Sequence, residues 1–66
     1  MIFVRFTMKG SGLEVWINPK RIVLIEEMQE GGCVISASFS PPVLVSETIE
    51  HVIRAIARAI NPVVEV

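Results

Sequence analysis

Apolar and polar side chains alternate along most of the first 45 residues, and then the period lengthens. From Ile2 to Met8, the side chains of Ile2, Val4, Phe6 and Met8 fall on one side of a strand and those of Phe3, Arg5 and Thr7 on the other. Lys9-Gly10-Ser11-Gly12 supplies a turn, after which Leu13 to Asn18 alternates again, with Leu13, Val15 and Ile17 opposite in sense to Glu14, Trp16 and Asn18. Folded as a hairpin, the two runs set Met8 by Leu13, Phe6 by Val15 and Val4 by Ile17. A slip of one residue would turn every one of these pairs to the other face, so the register is well specified. The same register sets Arg5 opposite Trp16 and predicts a guanidinium stacked on the indole, a contact worth roughly 0.5–1 kcal/mol when exposed.

Asn18-Pro19-Lys20-Arg21 reads as a turn, because Pro19 fixes φ and lacks an N–H while the Asn18 side chain can cap it. A third strand is predicted from Ile22 to Met28. The tetrapeptide Gln29-Glu30-Gly31-Gly32 then turns it into a fourth, Cys33 to Phe39, in which Cys33, Ile35, Ala37 and Phe39 share a face. Ser40-Pro41-Pro42 breaks the ladder, and Val43 to Val45 makes a short last strand. From Ser46 to Asn61 the apolar residues Ile49, Val52, Ile53, Ile56 and Ile60 follow helical spacing. Ser46 is the expected N-cap, with Glu47 and Glu50 in the first turn and Glu47 placed to pair with His51 four residues on. Arg54 and Arg58 lie toward the other end, and Asn61 in a left-handed conformation followed by Pro62 is the expected stop. The pattern predicts an α+β domain over residues 1–66: a small antiparallel sheet of four or five short strands followed by one C-terminal amphipathic helix. The apolar tail Val63-Val64-Glu65-Val66 is a candidate strand for its own sheet or a neighbour's.

Composition adds a constraint that the pattern does not show. The chain has 66 residues, of which 52% are hydrophobic, more apolar surface than one helix covers. Domains of this size bury barely enough surface to fold alone and usually add disulfides, a metal or a second subunit. With one cysteine, Cys33, and one histidine, His51, self-association is the expected supplement, and the chain reads as a homo-oligomer. Six Lys and Arg against seven Asp and Glu, with no block of like charge, disfavour nucleic acid as a partner. The longest apolar run, Ile22 to Ile25, is far short of a bilayer span, and no basic region precedes Met1-Ile2-Phe3-Val4, so an unexported chain is expected. An unpaired thiol fits the reducing cytoplasm.

Candidate chemistry is sparse. Glu26 and Glu27 are adjacent on a strand and point to opposite faces, so they cannot share a proton as a dyad. Cys33 has apolar neighbours and reads as a buried structural thiol. His51 has no second histidine or thiol near it in sequence to complete a metal site. Gly10, Gly12, Gly31 and Gly32 lead into strands, whereas a phosphate cradle needs a helix N-terminus behind the glycines. No catalytic set, metal or cofactor is expected. Two features point to recognition instead. Phe3, Arg5 and Trp16 share the hairpin face away from the apolar pairs, and Trp and Arg are enriched at binding hot spots, so these three form the candidate interface. On the helix, Ala55, Ala57 and Ala59 are small enough to admit another helix.

The Met1-Ile2 start, Ile17-Asn18-Pro19 followed by Ile22, Ile25-Glu26-Glu27, and Val45-Ser46-Glu47 running into Val52-Ile53 together resemble the FlbD-like family of small flagellar-operon proteins. The likeness covers most of the first 56 residues. It implies a cytoplasmic, non-enzymatic accessory protein connected with flagellar motor output, and it brings no catalytic residues. The function expected is a self-associating protein–protein interaction module. The alternative from another class is a small RNA-binding regulator of the carbon-storage-regulator sort, an intertwined dimer. That reading requires Arg5, Lys20, Arg21, Arg54 and Arg58 to converge on one basic edge.

Overall fold

A computed structural model describes residues 2–61. Proline 62 and the apolar tail, with its expected extra strand, lie outside the described residues. Five strands and one helix follow in order: β1 (Val4–Thr7), β2 (Glu14–Ile17), a 3-10 turn (Pro19–Arg21), β3 (Ile22–Glu27), β4 (Cys33–Ala37), β5 (Val43–Val45) and α1 (Ile49–Ile60). The α+β class and the C-terminal helix match the expectation from the sequence.

The first hairpin has the register its alternation dictates. Val4 pairs with Ile17, Arg5 with Trp16, Phe6 with Val15 and Thr7 with Glu14. Strand pairing is shorter than the alternating run, and Ile2 and Leu13 at its ends stand exposed. At the next turn the Asn18 side chain accepts from the Lys20 N–H at 3.1 Å, as expected, and Pro19 is buried. In the second hairpin β3 pairs with β4 and β4 with β5, all antiparallel. Ile22 lies opposite Ala37 and Leu24 opposite Ser36, so Val23 is bulged out of β3.

The strands form two sheets, β1-β2 and β3-β4-β5, where the pattern predicts one. The sheets meet edge to edge along β1 and β5. Met8 and Val45 form an isolated bridge, the Lys9 N–H donates to Leu44 O at 2.8 Å, and the Ser46 N–H donates to Thr7 O at 2.9 Å. Beyond Ser46 the chain bends toward the helix and cannot supply another carbonyl. The Glu47 carboxylate takes that place, with both oxygens 3.0 Å from the Thr7 N–H.

This junction moves the start of the helix. Ser46 and Glu47, expected as N-cap and first-turn residue, form a bend tied to β1 through the Ser46 N–H and the Glu47 carboxylate, and Thr48 caps α1 in their place. Its hydroxyl accepts from the His51 N–H at 3.2 Å. Glu47 therefore lies ahead of the helix with its carboxylate on Thr7, and His51 is still near enough to favour its ionised form. At the other end Asn61 has φ −134° and ψ 70°, not the left-handed cap expected, and its N–H closes on Ala57 O at 2.9 Å. Ile49, Val52, Ala55 and Ile56 pack on the strands, whereas Ile53 and Ile60, counted in the apolar stripe, face outward. The buried core is Phe6, Ile17, Cys33, Ile35, Val45 and Val52.

Phe39 departs furthest from its expected place. Strand β4 ends at Ala37, and Phe39 lies in the following turn with φ 63° and 99% of its surface exposed. The sequence Ser38-Phe39-Ser40-Pro41-Pro42 is dense in turn formers, and they override the alternation that would extend the strand.

Two measurements test this arrangement. Gly31 and Gly32 both have positive φ, but a Cβ on Gly31 meets open space, whereas one on Gly32 runs into the Val45 carbonyl oxygen. In urea unfolding, Gly31→Ala is expected to cost about 1–2 kcal/mol for the left-handed backbone alone. Gly32→Ala is expected to cost more, because β5 must also move. Glu47 sets the acid limb. Burial pushes its carboxyl up, the hydrogen bonds with Thr7 and with its own backbone and the nearby His51 together outweigh that, and the net value lies below the ordinary 4.5. A depressed folded value means that the stabilisation is complete above the unfolded value and fades as pH falls through the lower folded one. Glu47→Gln should flatten stability against pH below about 4.5, and Glu47→Ala, which strands the Thr7 N–H, should cost about 1–3 kcal/mol at neutral pH.

Candidate functional site

Phe3, Arg5 and Trp16 lie where the alternation puts them, on the hairpin face turned away from Phe6 and Ile17. All three are exposed, Trp16 at 57% and Phe3 at 47%. The chain's own helix does not cover them, since it packs on the opposite, inner face through Val52 and its neighbours. The predicted stack of Arg5 on the indole does not form. Its guanidinium meets Glu14 Oε1 at 3.4 Å, with both side chains largely exposed, because the diagonal carboxylate offers a charged partner in reach of the same strand pair. Such an exposed pair stabilises by at most about 1 kcal/mol.

Beside this face lies an open groove of about 420 Å³. Phe3, Trp16, Ile17, Arg21, Ile35 and Val43 are among the residues that line it. It exists because β2 and β3 are consecutive in the chain but do not pair. The buried Pro19 and its 3-10 turn lead the chain from one sheet to the other and leave the gap unclosed. Ser38 and Ser40 also line the groove, with Phe39 between them. Phe39 stands exposed in the turn between these two serines and does not itself line the groove. The strand alternation assigned it to the covered side; the cluster of serines and prolines around it was the signal that it belongs to a loop tip.

The groups weighed for chemistry lie elsewhere. Cys33 is fully buried. Burial pushes its thiol up, and the Glu27, Glu50 and Glu47 carboxylates push in the same direction, so it stays protonated. Its Sγ is 3.5 Å from the Glu47 carbonyl oxygen. His51 sits on the first turns of α1 with its ring edge-on to Phe6, centroids 6.5 Å apart at 68°. Among the described residues no group of three or more His, Cys, Asp or Glu side chains is placed to hold a metal ion. Glu26 and Glu27 pair with Val34 and Cys33 respectively, on opposite faces of the sheet. Among the described residues no helix is long and apolar enough to cross a membrane.

No family model, no curated protein and no solved structure matches the chain. The geometry of the exposed aromatics and the groove is therefore what carries a functional reading.

Cys33 gives this description a direct check. Its thiol should react with an aromatic disulfide reagent only as fast as the protein unfolds, and at the rate of a free thiol in denaturant. Rapid modification of the native protein would show that the packing around β4 and the start of α1 is open.

Proposed function

We propose that the protein is a non-enzymatic interaction module that self-associates and offers the Phe3, Arg5 and Trp16 face to a protein partner. The observation that carries this reading is that Trp16 and Phe3, each with about half of its surface in water, line one apolar groove. Folding alone gives no reason to hold two large aromatic side chains there. Aromatic anchors beside a pocket are the usual centre of a protein interface, and the Arg5–Glu14 pair forms a polar rim at its edge. Among the described residues Cys33 is buried and protonated and His51 packs edge-on to Phe6, which supports a binding role over a catalytic one.

The biological setting rests on the FlbD-like resemblance: a cytoplasmic accessory of flagellar motility. The alternative, RNA binding by an intertwined dimer, draws less support. Arg5 is engaged by Glu14, and Arg54 and Arg58 share the outer helix surface with Glu50 and His51. A filter-binding titration with RNA at low salt separates the two readings, and retention would favour the alternative.

Trp16 is the single tryptophan, so its emission reports on this face alone. In a flagellated host that carries the gene, the double variant Phe3→Ala, Trp16→Ala is expected to reach normal protein levels and to reduce swarm expansion. The purified variant should unfold within about 0.5 kcal/mol of the parent, as exposed substitutions do. Full motility at normal expression would count against the motility setting. A Trp16 emission already blue-shifted in dilute monomer would count against an open face.

A further inference from the structure

We propose that two copies of the chain join through the free edge of β3, antiparallel and about a two-fold axis. This deepens the self-association proposed above and rests on it.

Strand β3 is the outermost strand of its sheet, hydrogen-bonded to β4 on one side only. It carries exposed apolar side chains, with Val23 at 71% and Leu24 at 50%. Unpaired edges of this kind are templates for another strand. The sequence from Lys20 to Glu27 names the second strand. It reads Lys20-Arg21-Ile22-Val23-Leu24-Ile25-Glu26-Glu27: two cations, four apolar residues, two carboxylates. Turned antiparallel against itself about the midpoint between Val23 and Leu24, the strand Ile22–Glu27 brings the 3-10 turn that carries Lys20 and Arg21 to the end of the second copy where Glu27 and Glu26 lie. Ile22 then faces Ile25, and Val23 faces Leu24. All four charged residues are exposed, and the ion pairs among the described residues are made by others, Arg5 with Glu14 and Lys9 with Glu30. Opposite charges at both ends satisfy the isologous rule that each patch must complement itself.

The bulge at Val23 supports the same register. Residues directly opposite across an antiparallel pair must share a face, but Ile22 and Ile25 are three apart and would point to opposite faces of a regular strand. Here Ile22 pairs with Ala37 and Ile25 with Ile35, two residues apart on β4, so the bulge has brought both isoleucines to one face. The backbone agrees. The Met28 N–H donates to Gly32 O toward β4, so by alternation Ile25 and Glu27 present their N–H and C=O groups to the open edge; the Ile22 N–H is held by Pro19 O, which leaves the Ile22 carbonyl to accept from the Ile25 N–H of the second copy.

The test is a charge exchange. Lys20→Glu, Arg21→Glu makes all four positions acidic, and Glu26→Lys, Glu27→Lys makes all four basic. In sedimentation velocity at tens of micromolar and low salt, the parent is expected to be a dimer. Each double variant alone should be a monomer, weakened at least tenfold, and an equimolar mixture of the two should recover the dimer. Because β3 also holds the fold, an independent readout uses the unaltered protein: hydrogen exchange at the Ile25 amide should slow as concentration rises through the dimerisation range. A parent dimer that the charge variants leave intact, or an Ile25 amide indifferent to concentration, would overturn this interface and leave self-association standing. A parent that stays monomeric to millimolar concentration would overturn both.

Discussion

The fold depends on one substitution of chemistry along the seam between β1 and β5. Main-chain pairing runs from Lys9–Leu44 through Met8–Val45 to the Ser46 N–H on Thr7 O, and then the backbone of the second strand turns away. The Thr7 N–H would be left without an acceptor inside a partly covered seam, at a penalty comparable to the hydrogen bond itself. The Glu47 carboxylate supplies the missing acceptor with a charged oxygen, which makes a stronger bond than the carbonyl it replaces. It completes the seam between two sheets that also share the core of Phe6, Ile17, Cys33, Ile35 and Val45. It also fixes the point at which extended pairing ends and the helix begins.

The positions of Phe6, Val45, Cys33 and Val52 follow from that seam. Phe6 comes to the core from β1, Cys33 and Val45 from adjacent strands of the other sheet, and Val52 from the helix that starts immediately beyond the junction. With Cys33 packed there under the backbone of Glu47, its sulfur serves as a small apolar filler whose proton is not removed. Tying the chain at β1 and β5 leaves the other two edges, β2 and β3, free. The groove opens beside β2, and the self-complementary charge pattern lies along β3.

Legibility in the sequence tracks how local each cause is. The Phe6–Val15 and Val4–Ile17 pairs were readable because alternation and a short turn set them, and the same logic placed Phe3, Arg5 and Trp16 on one exposed face. The Asn18 cap and the Gly31-Gly32 turn were readable from residue chemistry alone. Four features were not. The helix start moved from Ser46 to Thr48 because of a partner about forty residues away, and no window around Ser46 contains Thr7. The division into two sheets depends on which edges meet. Alternation cannot detect the bulge at Val23, because an extra residue in an apolar run looks like more of the run. The groove is a consequence of strands that fail to pair, and so it had no sequence signal of its own.

Phe39 places an aromatic ring on a left-handed backbone in open solvent. For a residue with a Cβ that conformation is unfavourable by roughly 1–2 kcal/mol, and a side chain almost wholly in water returns nothing through burial. Within an isolated copy, glycine or asparagine would serve the turn better. Position 39 is thus a place where heat resistance and surface character are opposed. A library of variants sorted only for thermal survival would drift away from phenylalanine there, and one sorted for association would keep it if the ring is a contact. The residue recovered under each selection would read out, from frequencies alone, whether the ring serves this molecule or another.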